Sequence, residues 1–215
     1  MSLKNGRNVS FFTEHVNQFK TVKTSTFTHT SIMNPIGSFY IPGAEEETFL
    51  DIYNNALKKG EYLHFTEKHR DIAPILIDLD FRYQNVEKNK KRQHSLEDIH
   101  EFMNIYITEL YKYVENLQFE VYIMEKSCPK YDEKKNVIKD GIHIIIPNII
   151  TNLSLQLHIR HNVLDKMKGI VKKLGTTNDI EDIFDKAVID KNNWTMYGSR
   201  KPYNEPYVIT NNFTY

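Results

Sequence analysis

The segment Ile72–Tyr83 is a long apolar stretch that ends in two carboxylates. Its apolar and polar positions alternate with a period of two, which is typical of a β-strand whose successive side chains point to opposite faces of a sheet. One set is apolar and predicts a buried face: Ile75, Ile77, Leu79 and Phe81. The other set contains the charged side chains: Leu76, Asp78, Asp80 and Arg82. The pattern therefore predicts a strand with one face in a core and two acids on the other.

The rest of the chain contains further helical and strand patterns. Apolar spacing and capping residues predict four helices: Phe11–Phe19, Glu45–Lys59, a segment from Ser95 to Leu117, and Leu153–Leu174. Short apolar runs predict four more strands: Tyr62–Thr66, Phe119–Lys126, Val137–Pro147 and Trp194–Tyr197. A charged turn is expected over Lys130–Lys135, and no element is predicted for residues 202–215. These elements predict an α+β domain, a mostly antiparallel sheet with helices packed on one face.

Composition excludes several classes of protein. The chain has 215 residues, which fits one large domain, and 40% of them are hydrophobic, which is enough for a core. Basic and acidic residues number 28 each, so any nucleic-acid surface would have to be a local patch. The single cysteine, Cys128, excludes an internal disulfide and a multi-cysteine zinc site, and it fits a reducing intracellular compartment. No apolar run approaches the roughly 18 residues of a membrane span, so no membrane partner is expected.

Two predicted strands carry candidate chemistry. Asp78 and Asp80 lie roughly 7 Å apart at Cα on one strand face. Carboxylates this close resist joint ionisation unless a cation lies between them. In the second strand, Lys139, Gly141 and His143 share one face. A lysine and a histidine on either side of a glycine, which lets a ligand approach the backbone, favour an anion site. The alternative is that His143 is a structural histidine of an apolar strand.

A third group of candidate residues follows in the acidic segment Asn178–Asp190 and beyond it. A carboxylate from this segment could join Asp78 and Asp80 across the sheet. Three carboxylates that hold two divalent cations suit in-line displacement at phosphorus. Donors for phosphate oxygens would follow downstream: Ser199, Arg200 and Lys201.

Together the three stretches resemble the archaeo-eukaryotic primase superfamily, in its primase-polymerase branch. The acid-x-acid motif of that superfamily is similar to Asp78-Leu79-Asp80. Its Ser/Gly-x-His motif is similar to Gly141-Ile142-His143, with glycine where many members have serine. Its third motif, an acid before a polar turn and a basic residue, is similar to Asp185–Ile189 followed by Asn192–Lys201. The sequences Asp-Gly-Ile-His and Tyr-Gly-Ser-Arg-Lys-Pro are most similar to those of the primase–helicases of large DNA viruses.

The resemblance implies a template-directed nucleotidyltransferase, a DNA primase or primase-polymerase that makes primers on single-stranded DNA from nucleoside triphosphates. Asp78, Asp80 and Asp185 would be the catalytic ligands of two Mg²⁺ or Mn²⁺ ions, and Asp190 is the fallback for the third position. The remaining family positions would bind the nucleotide: Lys139, Gly141, His143, Ser199, Arg200, Lys201 and Arg82.

The resemblance also implies an architecture and partners. The fold would be an RRM-like palm with a second small α/β lobe, forming one catalytic domain over residues 1–215. Its parts would be an N-terminal lobe at 1–60, a palm at 61–201 and a tail at 202–215, all within a longer protein. The partners would be single-stranded DNA, NTP or dNTP, and a helicase domain in the same or a partner chain. The basic loop Lys88–Arg92 would track the template, unless it is only a solvated insertion. A viral protein of this kind would act at replication sites in the host-cell cytoplasm or nucleus.

Three other functions share parts of this pattern. A phosphatase or phosphotransferase of the haloacid-dehalogenase type also ends an apolar strand in Asp-x-Asp. A catalytically idle nucleic-acid-binding module could keep the same sheet without the chemistry. A nuclease could use the same two metals with water as the attacking group.

Overall fold

The structure is a computed structural model that describes residues 10–22, 25–84, 91–115 and 118–215. The chain divides into two compact units, and each has its own antiparallel sheet with helices, which confirms the α+β prediction. The first unit comprises residues up to Lys68 together with Asn193–Pro206. The second comprises His69–Asn192 together with Tyr207–Tyr215. These limits differ from the predicted boundaries at 60 and 201, because the chain returns to the first unit after residue 192.

The elements are as follows in chain order. The helices are α1 (Phe11–Asn17), α2 (Glu46–Lys58), α3 (Leu96–Leu110), α4 (Leu153–Leu164), α5 (Lys168–Leu174), α6 (Ile180–Ile183) and α7 (Ala187–Asp190). The strands are β1 (Lys20–Thr21), β2 (His29–Ser31), β3 (Gly37–Phe39), β4 (Phe65–Glu67), β5 (Ile72–Gln84), β6 (Glu120–Glu125), β7 (Lys130–Asp132), β8 (Val137–Asn152), β9 (Trp194–Thr195) and β10 (Val208–Thr214). Within the described ranges, no helix has the length and apolar character needed to cross a membrane.

The first unit is built on a five-stranded sheet in the order β1-β3-β2-β4-β9, with every neighbouring pair antiparallel. Residues from α1 and α2 complete a core beside this sheet. Four buried phenylalanines dominate that core: Phe12, Phe39, Phe49 and Phe65. The Phe65 ring centroid lies 5.0 Å from that of Phe12, in the edge-to-face arrangement that aromatic pairs favour, and 5.2 Å from that of Phe39, in a tilted one. The aromatic residues of this part of the chain therefore hold the first unit together.

The second unit is built on the sheet order β10-β6-β8-β5, with β7 also paired to β8. The predicted alternation of β5 is confirmed. Its core-facing residues are at most 4% exposed and pack with α3, α4 and α5: Ile75, Ile77, Leu79 and Phe81. Antiparallel pairing places Asp78 opposite His143 and Asp80 opposite Gly141. Because the helices cover one face, both acids lie on the other.

One predicted helix ends earlier than its apolar pattern, and another is divided in two. Helix α3 ends at Leu110, Tyr113 lies in the turn that follows, and Leu117 is outside the described residues. The predicted helix Leu153–Leu174 is divided into α4 and α5, and Met167 is buried at the break. The middle of each apolar pattern lies in one core, whereas Leu96 and Tyr113, near its two ends in the first helix, are exposed. Periodicity therefore identified most of the buried face but did not locate the breaks in the backbone.

Several segments for which no strand was predicted form strands, β3 among them. Residues 208–214 make β10, which pairs with β6 from Val208 opposite Glu125 to Thr214 opposite Glu120. The prediction that the tail forms no element is therefore wrong. The predicted turn at Lys130–Lys135 begins with β7, which pairs with β8. Edge strands such as β10 gain hydrogen bonds from a neighbour without a continuous apolar face, so a polar sequence conceals them.

The start of α3 offers a local test of helix capping. The Ser95 hydroxyl accepts a hydrogen bond from the Asp98 backbone N–H at 3.3 Å, and the Ser95 N–H donates to the Asp98 carboxylate at 2.8 Å. This reciprocal pair is a capping box. We expect Ser95→Ala to lower the free energy of unfolding by about 1 kcal/mol in urea denaturation. Thr108→Ala, at an exposed position of the same helix, is the control, and an equal loss in both variants would contradict the capping role.

Candidate metal centre

Backbone geometry brings three acids together in the second unit. Asp78 and Asp80 project from β5 on the face opposite the core. Asp185 follows α6, and its backbone N–H donates to the Asp78 carbonyl oxygen at 3.0 Å. Beside this bond, Phe184 forms an antiparallel bridge with Leu79. The segment that carries the third acid therefore pairs with β5 at the position of the first two.

The three carboxylates form a compact group. One ligand oxygen from each of Asp78, Asp80 and Asp185 lies within 4.8 Å of the other two. Among the residues that the structure describes, these three side chains are arranged closely enough to hold a metal ion. Asp190, at the end of α7, is exposed and does not belong to it. Of the two predicted candidates for the third position, the structure brings Asp185 to the pair.

The chemistry of this donor set fits a hard divalent cation. Three carboxylates within 4.8 Å repel one another, and a cation between them offsets that repulsion. Carboxylate oxygens are the ligands that Mg²⁺ and similar ions prefer in proteins. Asp185 also accepts a hydrogen bond from the Ala187 N–H at 2.9 Å, which fixes one of its oxygens. The group can therefore hold a metal ion with its ligands already oriented by the backbone.

His143 lies beside the acids, as the alternation of β8 predicts. Its Nε2 atom lies 3.6 Å from Oδ1 of Asp78, and the side chain is only 10% exposed. The imidazole ring stacks on the ring of Tyr207, with centroids 3.5 Å apart and planes inclined by 16°. The histidine is thus held in place by a ring on one side and lies next to a carboxylate on the other.

Tyr207 is a site residue that sequence reasoning missed. The space above Gly141 was predicted to admit a ligand, but a side-chain carbon added there would lie 2.7 Å from the Tyr207 hydroxyl oxygen. Burial, and then the negative charges of Asp78 and Asp80, raise the pKa of Tyr207 well above its ordinary value. The expectation of an open glycine is therefore wrong in this structure. Tyr207 belongs to the tail, where the sequence pattern gave no sign of a pairing with this sheet.

Lys139 and Arg82 lie opposite each other in adjacent strands. They therefore share the face that carries the acids, two positions along from Gly141 and Asp80. The Lys139 ammonium group lies 2.6 Å from Asp132, and the Arg82 guanidinium lies 3.3 Å from Asp182. Both side chains are partly exposed, at 42% and 32%. Surface ion pairs of this kind are weak, so both cations can turn to a bound anion at little cost.

The predicted donors at 199–201 lie in the first unit. Ser199 is 1% exposed, and its hydroxyl accepts from the Phe65 N–H at 2.9 Å and bonds with the Tyr53 hydroxyl at 2.8 Å. These bonds give Ser199 a structural role within the first unit rather than a place against a ligand. The Arg200 guanidinium lies 4.3 Å from the centroid of the exposed Tyr62 ring, and Lys201 is exposed.

A buried ion network lies behind the strand that carries His143. Arg92 bonds with Asp140 at 3.0 Å and with Glu125 at 2.9 Å. His94 lies 2.8 Å from Glu125 and 3.6 Å from Asp140. The two carboxylates are only 2% and 7% exposed. The predicted role of the basic loop is therefore wrong for Arg92, whose side chain belongs to this network, while residues 88 to 90 lie outside the described ranges.

Comparisons with known proteins give viral relatives. A protein of Acanthamoeba polyphaga mimivirus named as a candidate helicase is 37% identical over 191 residues, which is 86% of this chain and 20% of that protein. A similarly named protein of Invertebrate iridescent virus 6 is 24% identical over 208 residues, covering 85% of the chain and 21% of its own length. The chain thus spans about a fifth of the length of the curated relatives it matches.

A family model covers most of the chain. The family described as "C962R protein N-terminal AEP domain", an archaeo-eukaryotic primase domain, matches residues 28–213. This range includes all three acids, His143 and Tyr207, and it extends through both units. The match confirms the resemblance seen in the acid-x-acid and Gly-x-His motifs. The chain therefore belongs to this family of archaeo-eukaryotic primase domains.

Proposed function

We propose that the chain is a template-directed nucleotidyltransferase, a DNA primase or primase-polymerase that joins nucleoside triphosphates on single-stranded DNA. The observation that carries this proposal is the group of Asp78, Asp80 and Asp185, whose oxygens lie within 4.8 Å of one another in a member of a primase family. Two bound Mg²⁺ or Mn²⁺ ions would activate the attacking 3′-hydroxyl and neutralise the charge of the leaving pyrophosphate.

The protein's own residues would orient the nucleotide. The three acids would hold the cations in the arrangement that β5 and the Asp185 backbone bond fix. His143, beside Asp78, and the cations Lys139 and Arg82 on the same sheet face would bind phosphate oxygens. In the first unit, Lys201 and Arg200 remain candidates for phosphate binding, whereas the burial of Ser199 argues against a direct role.

The partners would be those of a replication enzyme. Single-stranded DNA would be the template, and NTP or dNTP the substrate. The relatives are named as candidate helicases, and the chain spans about a fifth of each. We therefore propose that it is the primase part of a longer protein that also carries a helicase domain and acts at viral replication sites in the host cell.

Primer synthesis tests the proposal directly. The protein is incubated with single-stranded DNA, Mn²⁺ and labelled nucleotides, and the products are separated by length. We expect labelled oligonucleotides that disappear when a chelator removes the metal. Heat-denatured protein is the control, and it should give no labelled oligonucleotides. No synthesis from either NTP or dNTP, under conditions in which the protein is folded, would contradict the proposal.

The same preparation separates the alternatives. Nucleotide binding that is indifferent to the chelator would favour an idle binding module. Cleavage of the DNA in place of synthesis would favour a nuclease with the same ligands. Stable trapping of a phosphoaspartyl analogue with fluoride salts would favour a phosphatase, although β5 continues from Asp80 to Gln84 without the turn that frees a nucleophilic aspartate.

A further inference from the structure

The space next to Gly141 is filled by a hydroxyl from a distant part of the chain. A Cβ atom at position 141 would lie 2.7 Å from the Tyr207 hydroxyl oxygen, 3.2 Å from the Leu79 carbonyl oxygen and 3.3 Å from Oδ1 of Asp80. The Tyr207 hydroxyl and an Asp80 oxygen thus border the same small volume. Any side chain at position 141 would have to displace the hydroxyl, so glycine is required as long as Tyr207 is there.

The ring of Tyr207 is held by two further contacts. It stacks on His143 at a centroid distance of 3.5 Å, and the Lys126 ammonium group lies 4.5 Å from the ring centroid. Stacking and a cation over the ring fix its position without using the hydroxyl. The chain continues from Tyr207 directly into β10, whose pairing with β6 anchors the backbone. The phenol is therefore a positioned group rather than a loose surface side chain.

A phenol in this place differs chemically from the cations nearby. At neutral pH a tyrosine hydroxyl is uncharged and both donates and accepts hydrogen bonds. It can bond a phosphate oxygen without adding charge to a site that already holds three carboxylates and would hold divalent ions. Because donors that meet an anion form the stronger class of hydrogen bond, one such contact can matter for affinity.

We infer that Tyr207 is a nucleotide-contacting residue of this site: its hydroxyl, held over Gly141 beside Asp80, donates a hydrogen bond to the polyphosphate of the bound nucleoside triphosphate. Gly141 lacks a side chain so that this hydroxyl fits. The inference rests on the proposed function and names a contact at the same site that the sequence motifs do not contain.

A double-mutant cycle of thermal stability tests only the packing of the Tyr207 hydroxyl against Gly141. Gly141→Ala should lower the midpoint of thermal unfolding by several degrees, because the new methyl group meets the Tyr207 hydroxyl at 2.7 Å. In a Tyr207→Phe background the same substitution should cost clearly less, since the closest clashing atom is gone. Equal shifts in both backgrounds would show that the hydroxyl does not occupy this space, and would overturn the inference.

Nucleotide affinity tests the contact. With Mn²⁺ and a fluorescent adenosine triphosphate, Tyr207→Phe should weaken binding about tenfold, the loss expected for one hydrogen bond to a charged group. Tyr122→Phe is the matched control, because Tyr122 lies in the same sheet and its hydroxyl bonds Glu120 instead. The control should bind like the wild type, while the stacked ring of Tyr207→Phe preserves the contacts with His143 and Lys126.

Rescue by serine distinguishes a direct hydrogen bond to the nucleotide from a purely structural role of Tyr207. In the Tyr207→Phe background, Gly141→Ser should restore part of the lost affinity because its hydroxyl reaches the vacated volume, whereas Gly141→Ala should not. Wild-type affinity in Tyr207→Phe, or equal affinity in the serine and alanine variants, would overturn this inference and leave the proposed function intact. A wild-type protein without metal-dependent nucleotide binding would overturn both, even where the stability cycle shows the expected packing.

Discussion

Asp185→Asn should reduce primer synthesis by on the order of 10²–10³-fold, the loss typical of removing one group that stabilises charge in the transition state. Asparagine has nearly the same shape, and its side-chain oxygen can still accept the bond from the Ala187 N–H. The backbone bond from residue 185 to the Asp78 carbonyl is also unaffected. The variant should therefore fold normally and lose only the negative charge that completes the group of three.

Asp190→Asn is the matched control for this prediction. Asp190 is an aspartate only five residues away, but it is exposed and lies outside the three-carboxylate group. Its substitution should leave synthesis within about twofold of wild type, as surface substitutions usually do. Thermal unfolding should confirm that both variants are folded. The reverse result, with activity lost at 190 and kept at 185, would contradict the assignment of the third ligand.

Substitution of the two strand acids gives a second, independent check. Asp78→Ala combined with Asp80→Ala should abolish both synthesis and metal-dependent nucleotide binding, since two of the three ligands are removed. Full activity in this double variant would contradict the whole metal assignment rather than the third ligand alone. Mn²⁺ binding, followed by electron paramagnetic resonance of the free ion, separates loss of metal from loss of a later step.

Local alternation was enough to predict the central part of the site. A strand that buries one face against helices leaves its other face uncovered by them. The alternation of side chains in β5 and in β8 therefore placed Asp78, Asp80 and His143 on that uncovered face. Strand alternation could not predict Asp185 as a residue of this site. Asp185 meets the pair through a backbone bond across about a hundred residues of chain, and the choice of Asp185 among the acids of its segment came from the family resemblance.

The residues that were missed depend on long-range pairing and burial. Tyr207 reaches Gly141 because a polar tail forms an edge strand, and no apolar period marks that pairing. Arg92 belongs to a run of basic residues that predicts a solvated or phosphate-binding loop. Its true environment is set by two buried carboxylates that are distant in sequence, Glu125 and Asp140. A charge run therefore does not show which of its members enters the core.

Arg92→Met should lower the free energy of unfolding by about 3–5 kcal/mol at pH 7, the usual cost of removing one partner from a buried ion pair. Methionine is apolar and nearly as long, so it can fill much of the space but cannot donate hydrogen bonds. Asp140 and Glu125 would remain almost fully buried, with His94 still beside both of them. The loss therefore reflects two carboxylates left without their main cation, rather than a cavity.

The pH dependence of this loss has a definite sign. In the native protein, burial raises the pKa of Glu125, but hydrogen bonds from His94 and Thr210 and the charge of Arg92 outweigh it and hold the pKa below its usual value. A carboxyl group with a lowered folded pKa stabilises the protein above its unfolded pKa, and this contribution is lost as pH falls through the folded pKa. Without the charge of Arg92, the pKa of Glu125 would be less strongly lowered than in the wild type. The variant then takes up this proton at a higher pH than the wild type does, so its stability deficit should shrink as pH falls through that range.

Urea denaturation at pH 7 and pH 4 measures both effects. The difference in unfolding free energy between wild type and Arg92→Met should be clearly smaller at pH 4, because Glu125 is protonated, and the buried repulsion relieved, at a higher pH in the variant. Lys91→Met is the matched control, since the neighbouring lysine is exposed, and it should cost less than about 0.5 kcal/mol at either pH. A deficit that stays constant with pH would mean that Arg92 stabilises the fold through packing of its stem, and a deficit as large in Lys91→Met would point to the charge of the whole loop.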